Sequence, residues 1–144
     1  MRRALPALLL ACALPVAAAP ARVASISLCT DLLLLEVAAP AQVASLTWLA
    51  ADPDLSPFAN EARRFPQNHG HVEELLALAP DLILADDMTP GRTRALLAQL
   101  GLRVEVIPPA YTPTDIKSAL ARVAKLLGRE RESAAVLEAF DQLE

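Results

Sequence analysis

Side chains that could carry chemistry are concentrated between Asn68 and Asp87. This stretch, NHGHVEELLALAPDLILADD, places two histidines two residues apart, then two adjacent glutamates, and closes on two adjacent aspartates. Histidines and carboxylates are ligands of zinc and of harder divalent cations. A structural zinc site needs four ligands at recognised spacings, whereas the whole sequence contains only 2 histidines. We therefore expect no metal site built from protein ligands alone.

The acidic pair Asp86–Asp87 and the thiol of Cys29 are the other reactive groups. The pair follows an apolar run, as in some phosphatases and magnesium sites, but no nucleophile motif or glycine-rich phosphate loop accompanies it. Cys29 would need His69 as its base, and no oxyanion donors can be identified. We expect loop carboxylates, with Asp86 at a pocket rim, and a pocket-facing thiol. An enzyme that uses Cys29, His69 and Asp86 is the alternative hypothesis.

Residues 1–19 form a separate segment. Arg2 and Arg3 precede an apolar run, and small residues follow it. This order is typical of a secretory signal peptide, and the run is too short to span a membrane. We predict cleavage near Ala18 or Ala19 and export to the periplasm. The sequence LLAC, which ends at Cys12, resembles a lipoprotein box and leaves lipidation of that cysteine as an alternative.

Composition narrows the class of protein further. The hydrophobic content is 54% and the aromatic content is 3%, so the core must consist mainly of Leu, Val, Ile and Ala. A chain of 144 residues is long enough for one domain. The net charge of −4 becomes more negative when Arg2 and Arg3 are removed, which argues against nucleic acid as a partner. Cys29 is then the remaining cysteine, so no internal disulfide is possible.

Strand and helix patterns alternate after the signal segment. Strands are predicted over 22–28, 42–49, 81–86 and 102–107, and helices over 30–38, 72–79, 90–100, 113–127 and from 129 onwards. A long loop with one short helix is expected between residues 50 and 70. This alternation predicts an α/β fold, a Rossmann-like parallel sheet with helices on both faces. Such sheets bind ligands at the carboxyl ends of their strands.

The run VEELLALAPDLILAD resembles a family signature, N-L-E-x-I-L-A-L-K-P-D-L-V-L-A. It is the signature of periplasmic solute-binding proteins that serve importers of iron–siderophore complexes, haem and cobalamin. The segments RVASISLCTDLLLLEVA, QVASLTWLAADP and LLAQLGLRVEVIPP match the same family in the same order. The family's usual Thr-Glu after the first strand is Thr30-Asp31 here, and its usual lysine before PDL is Ala79.

The resemblance implies two α/β lobes joined by one long helix, with the ligand between the lobes. Residues 20–128 correspond to the N-terminal ligand-binding lobe, and residues 129–144 correspond to the start of the interlobe helix. No counterpart of the second lobe is present in the sequence. We therefore expect a truncated or incomplete product that binds its ligand weakly.

The resemblance also implies the function of the whole protein. It would be the periplasmic substrate-binding component of an ABC importer, delivering a metal chelate such as a ferric siderophore, haem or cobalamin to a permease in the inner membrane. We expect a monomer with no catalytic activity and no resident cofactor. Glu73 would dock onto an arginine pocket of the permease. Ligand contacts are expected from loops at one sheet edge: Cys29, Thr30, Trp48, Asn68, His69, Met88 and Tyr111.

Two other functions stay open at this point. One is a periplasmic hydrolase or metal-dependent enzyme built on Cys29, His69 and Asp86. The other is a freestanding interaction module, which would be favoured if the natural chain ended at Glu144.

Overall fold

The computed structural model describes residues 18–142, so the predicted signal segment up to residue 17 and Cys12 lie outside the described residues. The strands are β1 (Val23–Ser25), β2 (Val43–Thr47), β3 (Gln67–Asn68), β4 (Leu82–Asp86) and β5 (Val104–Ile107). The helices are α1 (Leu28–Val37), α2 (Ala59–Ala62), α3 (Val72–Leu78), α4 (Gly91–Gln99), α5 (Pro113–Leu127) and α6 (Glu130–Asp141). Two 3-10 turns, Pro40–Gln42 and Trp48–Ala51, flank β2.

The five strands form one parallel sheet in the order β3-β2-β1-β4-β5. The chain runs outward from β1 through β2 to β3 and then returns to place β4 beside β1. Val23 of β1 pairs with Leu82 of β4, and Ile83 pairs with Val104 of β5. The direction of the strand order therefore reverses between β1 and β4, which is the point where open α/β sheets hold their ligands.

Both faces of the sheet are covered by helices, because the central strands are apolar on both sides. On one face Leu34 of α1 and Leu120 of α5 pack in the same buried cluster as Leu84 of β4. On the other face Leu75 of α3 and Leu97 of α4 pack against residues of β1 and β4. The predicted Rossmann-like parallel sheet with helices on both faces is confirmed.

Two predicted strand ends are wrong, and both lie at the edge of the sheet where the strands have their carboxyl ends. The first strand was expected to continue to residue 28, but β1 ends at Ser25 and α1 begins at Leu28. Ser27 is the N-cap of α1, and its side chain accepts a hydrogen bond from the backbone N–H of Thr30. The second strand was expected to reach residue 49, but Trp48 already begins a 3-10 turn.

The long connection between residues 50 and 70 holds the expected short helix, α2, and also an unpredicted strand. That strand, β3, has two residues, and Gln67 and Asn68 pair with the end of β2. Its short length gave no alternating pattern that could have indicated it. The α4 helix begins one residue later than predicted, with Pro90 as its N-cap, because Thr89 is hydrogen-bonded to Asp86 instead.

The last two helices pack together. Thr112 caps α5 by accepting a hydrogen bond from the backbone N–H of Asp115, and Gly128 ends α5 with a left-handed φ of 66°. Arg129 then ties the start of α6 to α1 by donating from Nε to the Val37 carbonyl at 3.2 Å. At the other end of α6, Asp141 forms an ion pair with Lys117 of α5.

Between residues 18 and 142, no helix has the length and apolar character required to cross a membrane.

Candidate functional site

The carboxyl ends of the strands meet the start of α1 at one edge of the sheet, named here the ligand edge. At this edge the turn after β4 is fixed by Asp86. Its Oδ1 accepts hydrogen bonds from the Thr89 backbone N–H at 2.9 Å and from the Thr89 hydroxyl at 3.0 Å. Asp86 is therefore a partly buried carboxylate at the end of β4, where it lines a cavity, and not the loop carboxylate expected from the sequence.

A cavity of about 450 Å³ opens at the ligand edge, between α1, α5, α6 and the ends of β4 and β5. Its wall is mostly apolar, and the carboxyl groups of Glu36, Asp86 and Asp87 lie on it. Among the described residues that form this wall, none is a lysine or an arginine. Among the predicted ligand contacts, the wall includes Cys29, Thr30 and Met88.

The thiol of Cys29 is not activated. Burial raises its pKa, and the nearby carboxylates of Asp86, Asp31 and Asp87 raise it further. A thiol with a raised pKa is a poor nucleophile at neutral pH. The imidazole of His69 is engaged with Glu74, and Asp86 is engaged with Thr89. Residues 18–142 contain no cluster of three or more metal-binding side chains.

Trp48 and His69 lie side by side on the other half of the ligand edge. Thr47, the last residue of β2, pairs with Asn68, the last residue of β3. The residues that follow them, Trp48 and His69, are therefore neighbours. The ring centroids of Trp48 and His69 are 6.5 Å apart, with an interplanar angle of 26°. His71 continues the row, with its centroid 6.1 Å from that of His69. Trp48 is 47% exposed, so the row offers an open aromatic surface.

Glu74, in the first turn of α3, fixes the His69 loop. One carboxylate oxygen lies 3.0 Å from His69 Nδ1, and the other accepts from the backbone N–H groups of His69 at 2.7 Å and His71 at 3.4 Å. These hydrogen bonds lower the pKa of the Glu74 carboxyl. A carboxylate on Nδ1 favours the tautomer that carries its proton there, which leaves the lone pair on Nε2. Metal-binding histidines are commonly oriented in this way.

Asn68, another of the predicted ligand contacts, has a structural role in the ligand-free chain. The side chain is fully buried. Its Nδ2 donates to the carbonyl oxygens of Ser25 and Leu46 and to the Ser45 hydroxyl, at 2.9 to 3.1 Å, while Oδ1 accepts from the Gly70 N–H at 3.0 Å. The Asn68 side chain has no exposed surface, and both of its polar atoms are hydrogen-bonded. It therefore connects β1, β2 and the His69 loop.

The other predicted contacts differ in what they offer a ligand. Thr30 is fully buried, and its hydroxyl lies 2.7 Å from the Ser25 hydroxyl and 2.8 Å from the Ser27 hydroxyl. Met88 and Tyr111 are each 84% exposed, and Met88 also lies on the cavity wall. The structure therefore groups Cys29, Thr30 and Met88 at the cavity and pairs Trp48 with His69 on the other half of the ligand edge.

Asp31 is a buried charge that sequence reasoning did not single out. Its Oδ1 accepts a hydrogen bond from the Thr47 N–H at 3.1 Å, and its Oδ2 accepts one from the Thr47 hydroxyl. Burial raises the pKa of Asp31 to about 6, although the hydrogen bonds from Thr47 and Ser25 act in the opposite direction. The available signal was an acidic residue inside the apolar run LCTDLLLL.

Glu73 lies next to Glu74 but has a different environment. Its side chain is exposed in the first turn of α3, whereas Leu75 on the same helix is fully buried. Within residues 18–142, Glu73 makes no side-chain hydrogen bond or ion pair. Glu74 therefore holds the His69 loop, whereas Glu73 faces solvent.

Known structures share this fold. A periplasmic heme-binding protein from Pseudomonas aeruginosa is similar with a TM-score of 0.71 and 19% identity, over 85% of this chain and 44% of that protein. The periplasmic vitamin B12-binding protein of Vibrio cholerae gives a TM-score of 0.68 and 21% identity, over 85% of this chain and 48% of that one. A possible iron-binding (periplasmic solute-binding) protein from Staphylococcus epidermidis gives 0.68 and 17%, over 83% and 47%.

This chain thus spans less than half the length of these proteins, and identities at this level establish the fold alone. No curated protein sequence matches the chain significantly. Residues 23–143 match the family model described as periplasmic binding protein, which covers most of the sequence. Together with the parallel five-stranded sheet, this match shows that the chain belongs to the periplasmic binding protein family.

Proposed function

We propose that this chain is the ligand-binding N-terminal part of the substrate-binding component of an ABC importer. It acts in the periplasm after removal of residues 1–19, and it presents a metal chelate to a permease in the inner membrane. The family match supports this role, and so does the position of the open surfaces at the carboxyl ends of the strands.

We propose further that the ligand is a flat metal macrocycle of the haem or cobalamin type. The observation that carries this proposal is the pairing of Trp48 with His69 at 6.5 Å, with Glu74 holding His69 Nδ1. An oriented imidazole offers Nε2 to a metal centre, and the indole beside it, nearly parallel to the imidazole, offers apolar contact to the face of a macrocycle through its edge. Similar structures include proteins described as binding heme and vitamin B12.

An anionic siderophore fits this edge less well. Such ligands need basic or donor-rich walls, whereas the cavity at this edge is mostly apolar and three acidic residues are part of its wall. The apolar cavity suits the hydrocarbon periphery of a macrocycle. Affinity of the chain alone is expected to be low, because a single open edge covers only part of a ligand surface.

A titration of Trp48 fluorescence tests the proposed ligand class. Trp48 is the single tryptophan of the sequence, so its emission reports directly on this edge. We expect haemin and hydroxocobalamin to quench it saturably and a ferric tris-catecholate to do so at least about tenfold more weakly, a difference of about 1.4 kcal/mol. Saturable quenching by the catecholate alone, or by none of the three, would overturn the proposal.

A docking role for Glu73 completes the proposed function. The side chain is exposed at the start of α3 and makes no bond within the described residues, so it is available to a partner. A solvent-facing charge of this kind guides and orients association more than it deepens affinity. We propose that Glu73 pairs with an arginine pocket of the permease.

A further inference from the structure

Two polar side chains lie fully buried under the Trp48–His69 pair, namely Asp31 and Asn68. Asp31 binds Thr47, the residue before Trp48, through both carboxylate oxygens. Asn68 is itself the residue before His69, and it binds backbone carbonyls of β1 and β2. His69 thus directly follows one buried polar residue, Asn68, and Trp48 directly follows Thr47, the hydrogen-bond partner of the other.

Asp31 carries a charge with no cation beside it. The residues that face Asp31 from β1 and β2 are Ser25 and Thr47, and neither is ionisable. The pKa of about 6 means that the carboxyl group is ionised at neutral pH and takes up a proton in mildly acidic solution. A proton on Oδ2 competes with the Thr47 hydroxyl proton for the same gap, so the hydroxyl must stop donating to Asp31.

We propose that Asp31 is a positioning residue for Trp48, and that its protonation state determines how firmly the Trp48–Ala51 turn is held against α1. Ionised Asp31 accepts two charge-assisted hydrogen bonds from Thr47 and orders the turn; protonated Asp31 donates from Oδ2 to the Thr47 hydroxyl instead, and both hydrogen bonds become neutral, weaker and less able to hold the turn. The consequence for ligand affinity, which is higher at neutral than at mildly acidic pH, rests on the proposed function.

Other titratable groups near this edge have to be separated from Asp31. Cys29 shares α1 with Asp31, Asp86 is the last residue of β4, and Asp87 follows it. His69 is stacked on Trp48 itself and is paired with Glu74. A protonated imidazole in that position would alter the indole emission directly, so the test is best made without it.

The helices on the same face add few ionisable groups at this point. α5 and α6 direct Leu120, Val123 and Val136 towards α1. Their nearest charged side chains are engaged elsewhere: Lys117 pairs with Asp141, and Arg129 pairs with Glu132. Arg63 donates to the Ala51 carbonyl at the end of the Trp48 turn, and its charge does not change in the relevant range.

The test uses acrylamide quenching of Trp48 in the ligand-free chain, in a His69→Gln background. Between about pH 7.5 and pH 5, the quenching constant should rise about twofold, with a midpoint near the pKa of Asp31. The Asp31→Asn/His69→Gln variant should lose this dependence. Asp87→Asn/His69→Gln is the matched control, because Asp87 is an exposed acid at the same edge, and its profile should equal that of His69→Gln.

A second variant keeps the proposal falsifiable if Asp31→Asn fails to fold. Thr47→Val removes the hydroxyl donor at constant size, and in the same background it should raise the quenching constant at neutral pH and reduce its dependence on pH. Far-UV circular dichroism at each pH establishes that the fold persists. A flat profile in His69→Gln, or an unchanged profile in folded Asp31→Asn/His69→Gln or folded Thr47→Val/His69→Gln, overturns the positioning role.

The same variants separate this inference from the proposed ligand. Haemin binding to the wild-type chain and to Asp31→Asn is compared at about pH 7.5 and pH 5.5, where the proposal predicts at least a threefold loss of affinity in the wild type and a smaller loss in the variant. A pH-dependent Trp48 profile without any haemin binding supports the positioning role and overturns the ligand. Haemin binding whose pH dependence is unchanged by Asp31→Asn overturns the link between Asp31 and affinity.

Discussion

At the scale of single residues, the ligand edge depends on buried polar groups beneath exposed aromatic ones. Asp31 and Asn68 have no solvent exposure, while Trp48, the residue after Thr47, is about half-exposed. An ionised carboxylate without a cation is costly to bury, and in Asp31 this cost is offset only in part by hydrogen bonds from Thr47 and Ser25. Functional sites often retain such unfavourable groups because they fix geometry.

The unfavourable burial of Asp31 predicts how stability depends on pH. The folded-state pKa of about 6 lies above the ordinary value of 3.8, so the folded protein binds the proton more tightly than the unfolded chain does. The resulting stabilisation is fully present below the unfolded value and is lost as the pH rises through about 6. It amounts to about 3 kcal/mol at most.

Urea unfolding of the wild type and of Asp31→Asn between about pH 4 and pH 7 measures this effect. The free energy of unfolding of the wild type should fall relative to that of the variant as the pH rises, because the amide does not titrate. Two curves that stay parallel across this range would show that Asp31 is not the responsible group.

At the scale of elements, the short helix α3 separates two functions on neighbouring residues. Glu74 accepts hydrogen bonds from the His69 loop, whereas Glu73 faces solvent. Leu75 is fully buried and secures the helix to the sheet. A helix that is firmly packed on one side can present a charge on the other without loss of stability.

Substitutions along α3 should therefore have different outcomes. Glu73→Ala should leave the melting temperature and the haemin binding of the chain unchanged. In the complete importer this substitution should reduce uptake, and it should also make uptake less sensitive to salt concentration. Glu74→Ala should weaken haemin binding, because His69 loses its partner. Leu75→Ala is the packing control and should cost about 2–5 kcal/mol of stability. Full uptake with a lowered melting temperature in Glu73→Ala would assign that residue to the fold.

The elements also show what the sequence could and could not predict. Helix α5 was predicted within its observed bounds, because its Thr112 cap and its Gly128 stop act locally. Strand β3 was missed because two residues have no pattern, and their pairing is decided by the end of β2 some twenty positions earlier. For the same reason Trp48 and His69 were recognised separately, but their contact was not, and neither was the burial of Asn68.

At the scale of the whole molecule, the described residues form one lobe with its ligand edge open. Helix α6 runs to this edge, where Val136 and Phe140 line the cavity, and the ion pair between Asp141 and Lys117 joins it to α5. Similar structures are about twice as long, with 44–48% of their length matched. We expect a longer form of the protein to bind its ligand far more tightly than this chain, because it would cover the exposed side of the ligand.

Export is a property of the whole molecule as well. The order of Arg2, Arg3, an apolar run and small residues predicts cleavage near Ala18 or Ala19. Intact mass measurement of the protein recovered from the periplasm of an expressing bacterium should find an unmodified new N-terminus at this point. A lipidated Cys12 as the first residue would contradict this prediction and would establish a membrane-anchored form.

The central claim is that Trp48 and His69 together bind a metal macrocycle, and a comparison of haemin with iron-free protoporphyrin IX tests it most directly. Apolar contact with Trp48 serves both compounds, whereas His69 Nε2 can serve only the one that contains iron. We predict that the wild-type chain binds haemin at least about tenfold more tightly than protoporphyrin IX, that His69→Ala removes this difference, and that His71→Ala retains it. Equal affinities of the wild type for the two compounds, or a preference for haemin that survives His69→Ala, would contradict the claim.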